Sequence, residues 1–181
     1  MTRLKIFALG LAVLYGVGAL AVNAGPKIGS GAMPRPLKAV KAGKPVPALA
    51  FRDAKGARHT LKEFQGRYVL VNMWATWCAP CVAELPALAK LKAAAPGITL
   101  LAVDLTGRKE TPAKAEAFLK EHNASSLGTA VDTESVFMRS FEAAVMPTTV
   151  LIDPQGRVIA RAEGPAEWAS PAFVAYFKSL K

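Results

Sequence analysis

Tyr68-Val69-Leu70-Val71-Asn72-Met73-Trp74-Ala75-Thr76-Trp77-Cys78-Ala79-Pro80-Cys81 is the stretch that decides how this 181-residue chain folds. Its first seven residues are apolar almost throughout, as a strand buried on both faces should be. Beyond it, Val82, Leu85, Leu88 or Ala89, and Leu91 recur at helical spacing over residues 80–95, with Pro86 expected to bend the helix. A buried strand therefore ends, and a helix begins, around two cysteines three positions apart.

The pattern continues on either side. Upstream, Ala48–Phe51 and Ala57–Thr60 flank Lys55-Gly56 and predict a leading hairpin. Downstream, Ile98–Leu105 reads as a second buried strand after the Pro96-Gly97 break. Thr111-Pro112 opens a helix to about His122, with Thr as cap and Pro at the first helical position. A short strand near Gly128–Val131 and a helix over Thr133–Phe141 follow. Thr148–Asp153 and Val158–Glu163 form two strands around the turn Pro154-Gln155-Gly156. A helix over Ala166–Leu180 closes the chain, with Trp168, Phe173 and Phe177 as its apolar side. Buried strands alternating with helices specify a layered α/β domain over residues 46–181.

Residues 1–45 have a different character. Ile6–Val22 is an uncharged, mostly apolar run of 17 residues behind Arg3 and Lys5. As a helix it spans about 25 Å, near the lower limit for crossing a bilayer. It reads as a retained membrane anchor, the preferred assignment for 1–24, or as an export signal cleaved near Val22-Asn23-Ala24. Residues 25–45 hold Gly25, Pro26, Gly29, Gly31, Pro34, Pro36, Gly43 and Pro45 without apolar period and are expected to be a linker. The formal net charge of +10 is concentrated here: residues 1–44 carry seven Lys/Arg and no acid, leaving +3 on the remainder. Beside an apolar run, anionic lipid headgroups are the simpler partner. No aromatic-studded basic stripe accompanies the charge, so nucleic acid is excluded as a partner. The positive flank after the run argues for a cytoplasmic domain, although long domains translocate largely regardless of charge.

Chemistry is concentrated in the two cysteines, the only ones in the chain. Cys78 falls at a helix N-terminus, where unpaired N–H groups and the helix dipole stabilise a thiolate. Cys81 lies one turn inside, better kept protonated. Cys78 is thus the expected nucleophile toward a substrate disulfide, and Cys81 the residue that resolves the mixed disulfide. The alternatives are a zinc site, a structural disulfide and inert buried thiols. Zinc lacks ligands, since only His59 and His122 remain and neither has the spacing. A structural disulfide closing so small a loop gains little in chain entropy. No metal and no cofactor beyond the cysteine pair is expected.

On a strand-to-helix turn, Trp77-Cys78-Ala79-Pro80-Cys81 resembles the thioredoxin superfamily, and Met146-Pro147-Thr148, 66 residues beyond Cys81, extends the match. Residues 71–78, Glu84-Leu85-Pro86 and 146–156 are similar to its TlpA/ResA branch, and Gly164-Pro165-Ala166-Glu167-Trp168 to the TlpA side of that branch. The resemblance covers about residues 45–181. It implies a thioredoxin-like α/β fold with an N-terminal β-hairpin and a central helix–strand insertion at 111–131. It also implies a cis Pro147 against the cysteine pair, where an ordinary turn proline is the alternative. Trp77, Pro80, Met146 and Pro147 become substrate-docking candidates, Trp77 being otherwise a core aromatic. Members of the branch are typically tethered and face the periplasm or the cell exterior. They reduce client proteins in cytochrome c maturation or in assembly of oxidase copper centres, and an integral-membrane thiol carrier recharges them. The same role and location, with the soluble periplasmic form as alternative, are what the resemblance implies here.

Asn72 stands six residues before Cys78, where ordinary thioredoxins carry a buried Asp, so Cys81 needs another proton acceptor. Glu84, three residues on along one helix face, is the candidate relay; a solvated helix acid is the alternative. Trp168 is expected in the core. A dithiol oxidase ranks lower than a reductase, because Ala79-Pro80 places no charge or His between the cysteines to stabilise the thiolate strongly. A copper chaperone ranks lower still, for want of a Met/His cluster.

Overall fold

The computed structural model describes residues 32–40 and 45–180. The apolar run at 6–22, and with it the anchor or signal segment, lies outside them, as does part of the linker. No described helix is long and apolar enough to cross a membrane. The described strands are β1 (Lys38–Ala39), β2 (Ala50–Arg52), β3 (Arg58–Thr60), β4 (Val69–Trp74), β5 (Thr99–Asp104), β6 (Ala130–Val131), β7 (Thr148–Ile152) and β8 (Val158–Glu163). The helices are α1 (Ala79–Ala94), α2 (Pro112–Glu121), α3 (Phe137–Ser140) and α4 (Pro171–Ser179).

One mixed sheet runs β1-β8-β7-β4-β5-β6-β2-β3. β4 is central and buried along its whole length, parallel to β5 and antiparallel to β7. Because side chains alternate across a strand, its two faces build two cores. Leu70 and Trp74 join Leu100, Ala102, Leu151 and the inner residues of α1 and α4 on one side. Val69, Val71 and Met73 join Val103, Val150, Ile152, Phe51 and Phe137 on the other. The almost wholly apolar character of 68–74 follows from this double coverage. At the upper end of β4 the pairing Met73↔Thr148 and Trp74↔Asp104 brings three chain segments together, those after Trp74, before Thr148 and after Asp104.

The predicted elements appear with the hairpin β2–β3, the buried strands and the insertion all present, giving a thioredoxin-like α/β fold. Three boundaries differ. First, the linker expected over 25–45 reaches into the domain. Leu37 is buried in the main core, and Lys38 and Ala39 pair with Arg161 and Ala160 of β8. Val40 N–H donates to the Ile159 carbonyl at 3.0 Å. A two-residue strand with both side chains exposed, next to a single buried leucine, has no periodicity for the sequence to display.

Second, the helix expected over 133–141 shrinks to α3. The Asp132 carboxylate accepts from the backbone N–H groups of Glu134, Val136 and Phe137 at 2.8–3.1 Å, so residues 133–136 form a turn. Third, the last helix begins at Pro171, not Ala166. Proline suits a first helical position, and residues 166–170 are turns closed by Trp168 N–H to Ala166 O and Ser170 N–H to Glu167 O.

Candidate active site

Cys78 is the N-cap residue of α1 and Cys81 lies in its first turn. The two sulfurs are joined in a disulfide, with Cα atoms 5.3 Å apart. Cys78 retains 6 % exposure while Cys81 has none. An incoming sulfur can therefore reach the bond only from the Cys78 side. Cys78 stands at the N-terminal end of α1, where backbone N–H groups are left unpaired by the helix. Pro80 occupies the first turn, where its missing N–H costs no helical bond.

Trp77, just before the disulfide, is 65 % exposed, in contrast to the fully buried Trp74 and Trp168. It is not a core aromatic. The Met146–Pro147 peptide is cis, and Pro147 accepts a hydrogen bond from Gly164 N–H at 2.9 Å. Met146 packs against the core cluster that contains Cys78 and Cys81. Val145, the other large exposed apolar residue among those described, adjoins it in sequence.

Glu84 is a buried acid. Only 4 % of it is exposed, on the inner face of α1 one turn beyond Cys81. Its Oε1 accepts from Asn72 Nδ2 at 2.7 Å, and its Oε2 from Ala166 N–H at 3.0 Å and Trp168 Nε1 at 2.8 Å. Asn72 Nδ2 also donates to Thr149 Oγ1 at 2.9 Å. Burial pushes the Glu84 carboxyl above its ordinary range, against the pull of three donors that favour the ionised form. Glu84 is not a solvated helix acid.

Trp168, expected only in the core, and the Ala166 amide are therefore part of Glu84's surroundings. The signal for them was the Gly164–Trp168 motif, which carried a resemblance but no chemical duty. Asn72, which stands where thioredoxins carry an Asp, is the group that meets Glu84, a contact its place in the sequence does not signal. A groove beside α1, lined by Arg35, Pro36, Pro80, Ala83, Ala166 and Glu167, opens at Glu84. The 32–40 segment that forms one of its walls is thus adjacent to the site.

A helix N-terminal Cys-x-x-Cys disulfide on this fold defines a thiol–disulfide oxidoreductase. Residues 41–175 match the Redoxin family, and the chain belongs to it. The thiol-disulfide oxidoreductase ResA of Bacillus thuringiensis subsp. konkukian (strain 97-27) is 32% identical over 67% of this chain and 69% of its own length. ResA of Geobacillus kaustophilus (strain HTA426) is 32% identical over 66% and 68%. Among solved structures, the thioredoxin domain of a thiol-disulfide oxidoreductase from Bacteroides vulgatus superposes with a TM-score of 0.61 at 28% identity, covering 72% of this chain and 94% of that one. A putative thiol:disulfide interchange protein DsbE from Chlorobium tepidum gives 0.63 at 26% identity, covering 76% and 99%. The chain is a protein-disulfide reductase of the ResA/DsbE type.

Proposed function

We propose that this protein is a membrane-anchored, periplasm-facing reductant of disulfides in exported client proteins, serving cytochrome c maturation or the assembly of copper centres in respiratory oxidases. The observation that carries the order of sulfur attack is the asymmetry of the pair: a slightly open Cys78 at the helix start and a sealed Cys81 a turn inside, three residues before the buried Glu84. The cysteine pair is the whole redox group, with no metal or other cofactor.

In the reduced protein, the Cys78 thiolate attacks one sulfur of the client cystine. One client thiolate leaves, and a mixed disulfide joins the client to Cys78. Glu84 accepts the Cys81 proton, and the Cys81 sulfur attacks Cys78. The second client sulfur leaves, and the Cys78–Cys81 disulfide forms. Two electrons have passed to the client, and its two thiolates become thiols with the proton that left Cys81 and one from solvent. Trp77, Pro80, Met146 and cis Pro147 receive the client backbone around the reacting sulfur. An integral-membrane thiol donor then returns two electrons to the pair. Support for the cellular setting comes from the ResA and DsbE relatives and from the apolar run at 6–22.

The test is capture. Cys81→Ser in the full chain, expressed in its membrane, should accumulate a mixed disulfide that mass spectrometry resolves into exported respiratory-assembly clients, while Cys78→Ser captures none. Recovery of cytoplasmic clients alone would place the domain on the other side of the membrane and refute this reading.

A further inference from the structure

The segment that carries the nucleophile is anchored from the β5 side by a chain of hydrogen bonds ending on a buried carboxylate. Thr76 N–H donates to Thr106 Oγ1 at 3.0 Å, and Trp77 Nε1 donates to the Thr106 carbonyl at 3.4 Å. Thr106 therefore touches both residues that immediately precede Cys78. Its own N–H donates to Asp104 Oδ1 at 2.7 Å, and its hydroxyl donates to the same oxygen in a short contact. Asp104 is 1 % exposed, and its second oxygen has no hydrogen-bond partner among the described residues. The backbone is held as well: Leu105 N–H donates to Trp74 O at 2.8 Å, and Asp132 N–H to Asp104 O at 3.0 Å.

The direction of these bonds matters. A threonine hydroxyl has one hydrogen. With Asp104 ionised, that hydrogen goes to the carboxylate, and the Thr106 lone pairs are left for the Thr76 amide. The whole chain then points one way, from the Thr76 N–H to the charge on Asp104, and a charged terminal acceptor strengthens such bonds. A plain turn would not need the charge. An asparagine could accept from Thr106 N–H through its carbonyl oxygen and close the same loop, without placing a carboxylate among Trp74, Leu100 and Ala102 on the inner face of the sheet. Burial, with Glu110 adding repulsion, pushes the Asp104 carboxyl up to about 6, so at neutral pH the charged form predominates.

We propose that Asp104 is a positioning residue for disulfide exchange, which acts through Thr106 to hold Thr76 and the Trp77 indole so that the platform beside Cys78 is set for a protein client. This rests on the thiol–disulfide reading of the site. It concerns the client-facing rim, not the sulfur chemistry, so large and small disulfides should respond differently.

The experiment compares the purified full chain with Thr106→Val, Thr106→Ser, Asp104→Ala and Asp104→Asn. Turnover is measured on a protein disulfide, insulin, and on a small one, oxidised glutathione. Acrylamide quenching reports Trp77 specifically, since Trp74 and Trp168 are fully buried. Thr106→Val should raise KM for insulin about tenfold, the loss of one bond to a charged network. The small disulfide should stay within about twofold of the parent by the same reasoning, and quenching should change. Thr106→Ser should restore parent behaviour, and Asp104→Ala should match Thr106→Val. Asp104→Asn should fall between Asp104→Ala and the parent.

Unchanged insulin KM and unchanged quenching in a folded Thr106→Val overturn the proposal. So does an equal loss on both disulfides, which would make Asp104 a residue of the fold alone. Should Asp104→Ala fail to fold, Thr106→Val decides, because it leaves the carboxylate in place. Failure of the parent on both disulfides would remove the exchange reading itself, and this proposal with it.

Discussion

Trp168→Phe offers the sharpest test of how the buried acid is tuned. The substitution keeps an aromatic ring against Phe173, whose centroid lies 4.7 Å from that of Trp168, but deletes the indole N–H that donates to Glu84 Oε2 at 2.8 Å. Glu84 then loses one of three donors that favour its ionised form, while the burial that opposes ionisation remains. A hydrogen bond to a charged group contributes about 1.5–3 kcal/mol. The ratio of ionised to protonated Glu84 at a given pH should therefore fall about 10- to 100-fold. If ionised Glu84 accepts the Cys81 proton, the acid limb of the resolving step moves to higher pH, and rates converge with the parent well above it.

The assay isolates that step: Cys78 is loaded with glutathione as a mixed disulfide, and glutathione release is followed across pH. Packing losses are separated by repeating the substitution on Glu84→Gln, where Trp168→Phe should no longer move the profile. Asn72→Ala removes the donor at 2.7 Å and should shift the limb the same way. A Trp168→Phe protein that is less stable but releases glutathione with the parent's pH profile would refute the reasoning. Release from Glu84→Gln at the parent rate would remove the relay altogether.

Three further expectations concern stability. Leu37→Ala should cost about 2–4 kcal/mol in urea unfolding, because the residue is 3 % exposed within the main core; no change would return residues 32–40 to the status of a linker. Burial raises the Asp104 carboxyl from 3.8 to about 6, so the fold favours its protonated form. That contribution is complete below about pH 4 and lost by about pH 6, on the order of 3 kcal/mol, and Asp104→Asn should flatten the decline in unfolding free energy over this window. His59 is raised by its bond to Glu63 and, next, by that to Asp53, at 2.9 and 3.1 Å. Its support of the β2–β3 hairpin should fade as pH rises through that raised value. Amide exchange in the hairpin, corrected for intrinsic rates, should then quicken; protection that is constant from pH 6 to 9 would show that the imidazolium is not needed.

What could be read along the chain was whatever depends on neighbours in sequence. The nearly continuous apolar run of β4 encodes burial on two faces, the 3.6-residue recurrence after Cys81 encodes α1, and Thr111-Pro112 encodes a capped start that Lys114 N–H completes. The Cys78/Cys81 spacing encodes one sulfur at a helix end and one a turn inside. Each is a local rule, and the structure follows it. Side-chain to backbone capture was decided elsewhere. Asp132 claims three N–H groups and shortens α3, and two residues of an apparent linker become β1 because β8 offers an open edge.

The surroundings of Glu84 and Cys78 were least legible of all. Asn72, Ala166 and Trp168 lie 12, 82 and 84 positions from Glu84, and Thr106 reaches Thr76 across 30. None shares a period or a motif with its partner. Only the pairing of β4 with β5 and β7, and the packing of α1 on that sheet, sets the distances at which a buried carboxylate meets its donors. The sulfur pair was therefore written in the sequence, whereas the surroundings of the buried Glu84 were made by the fold.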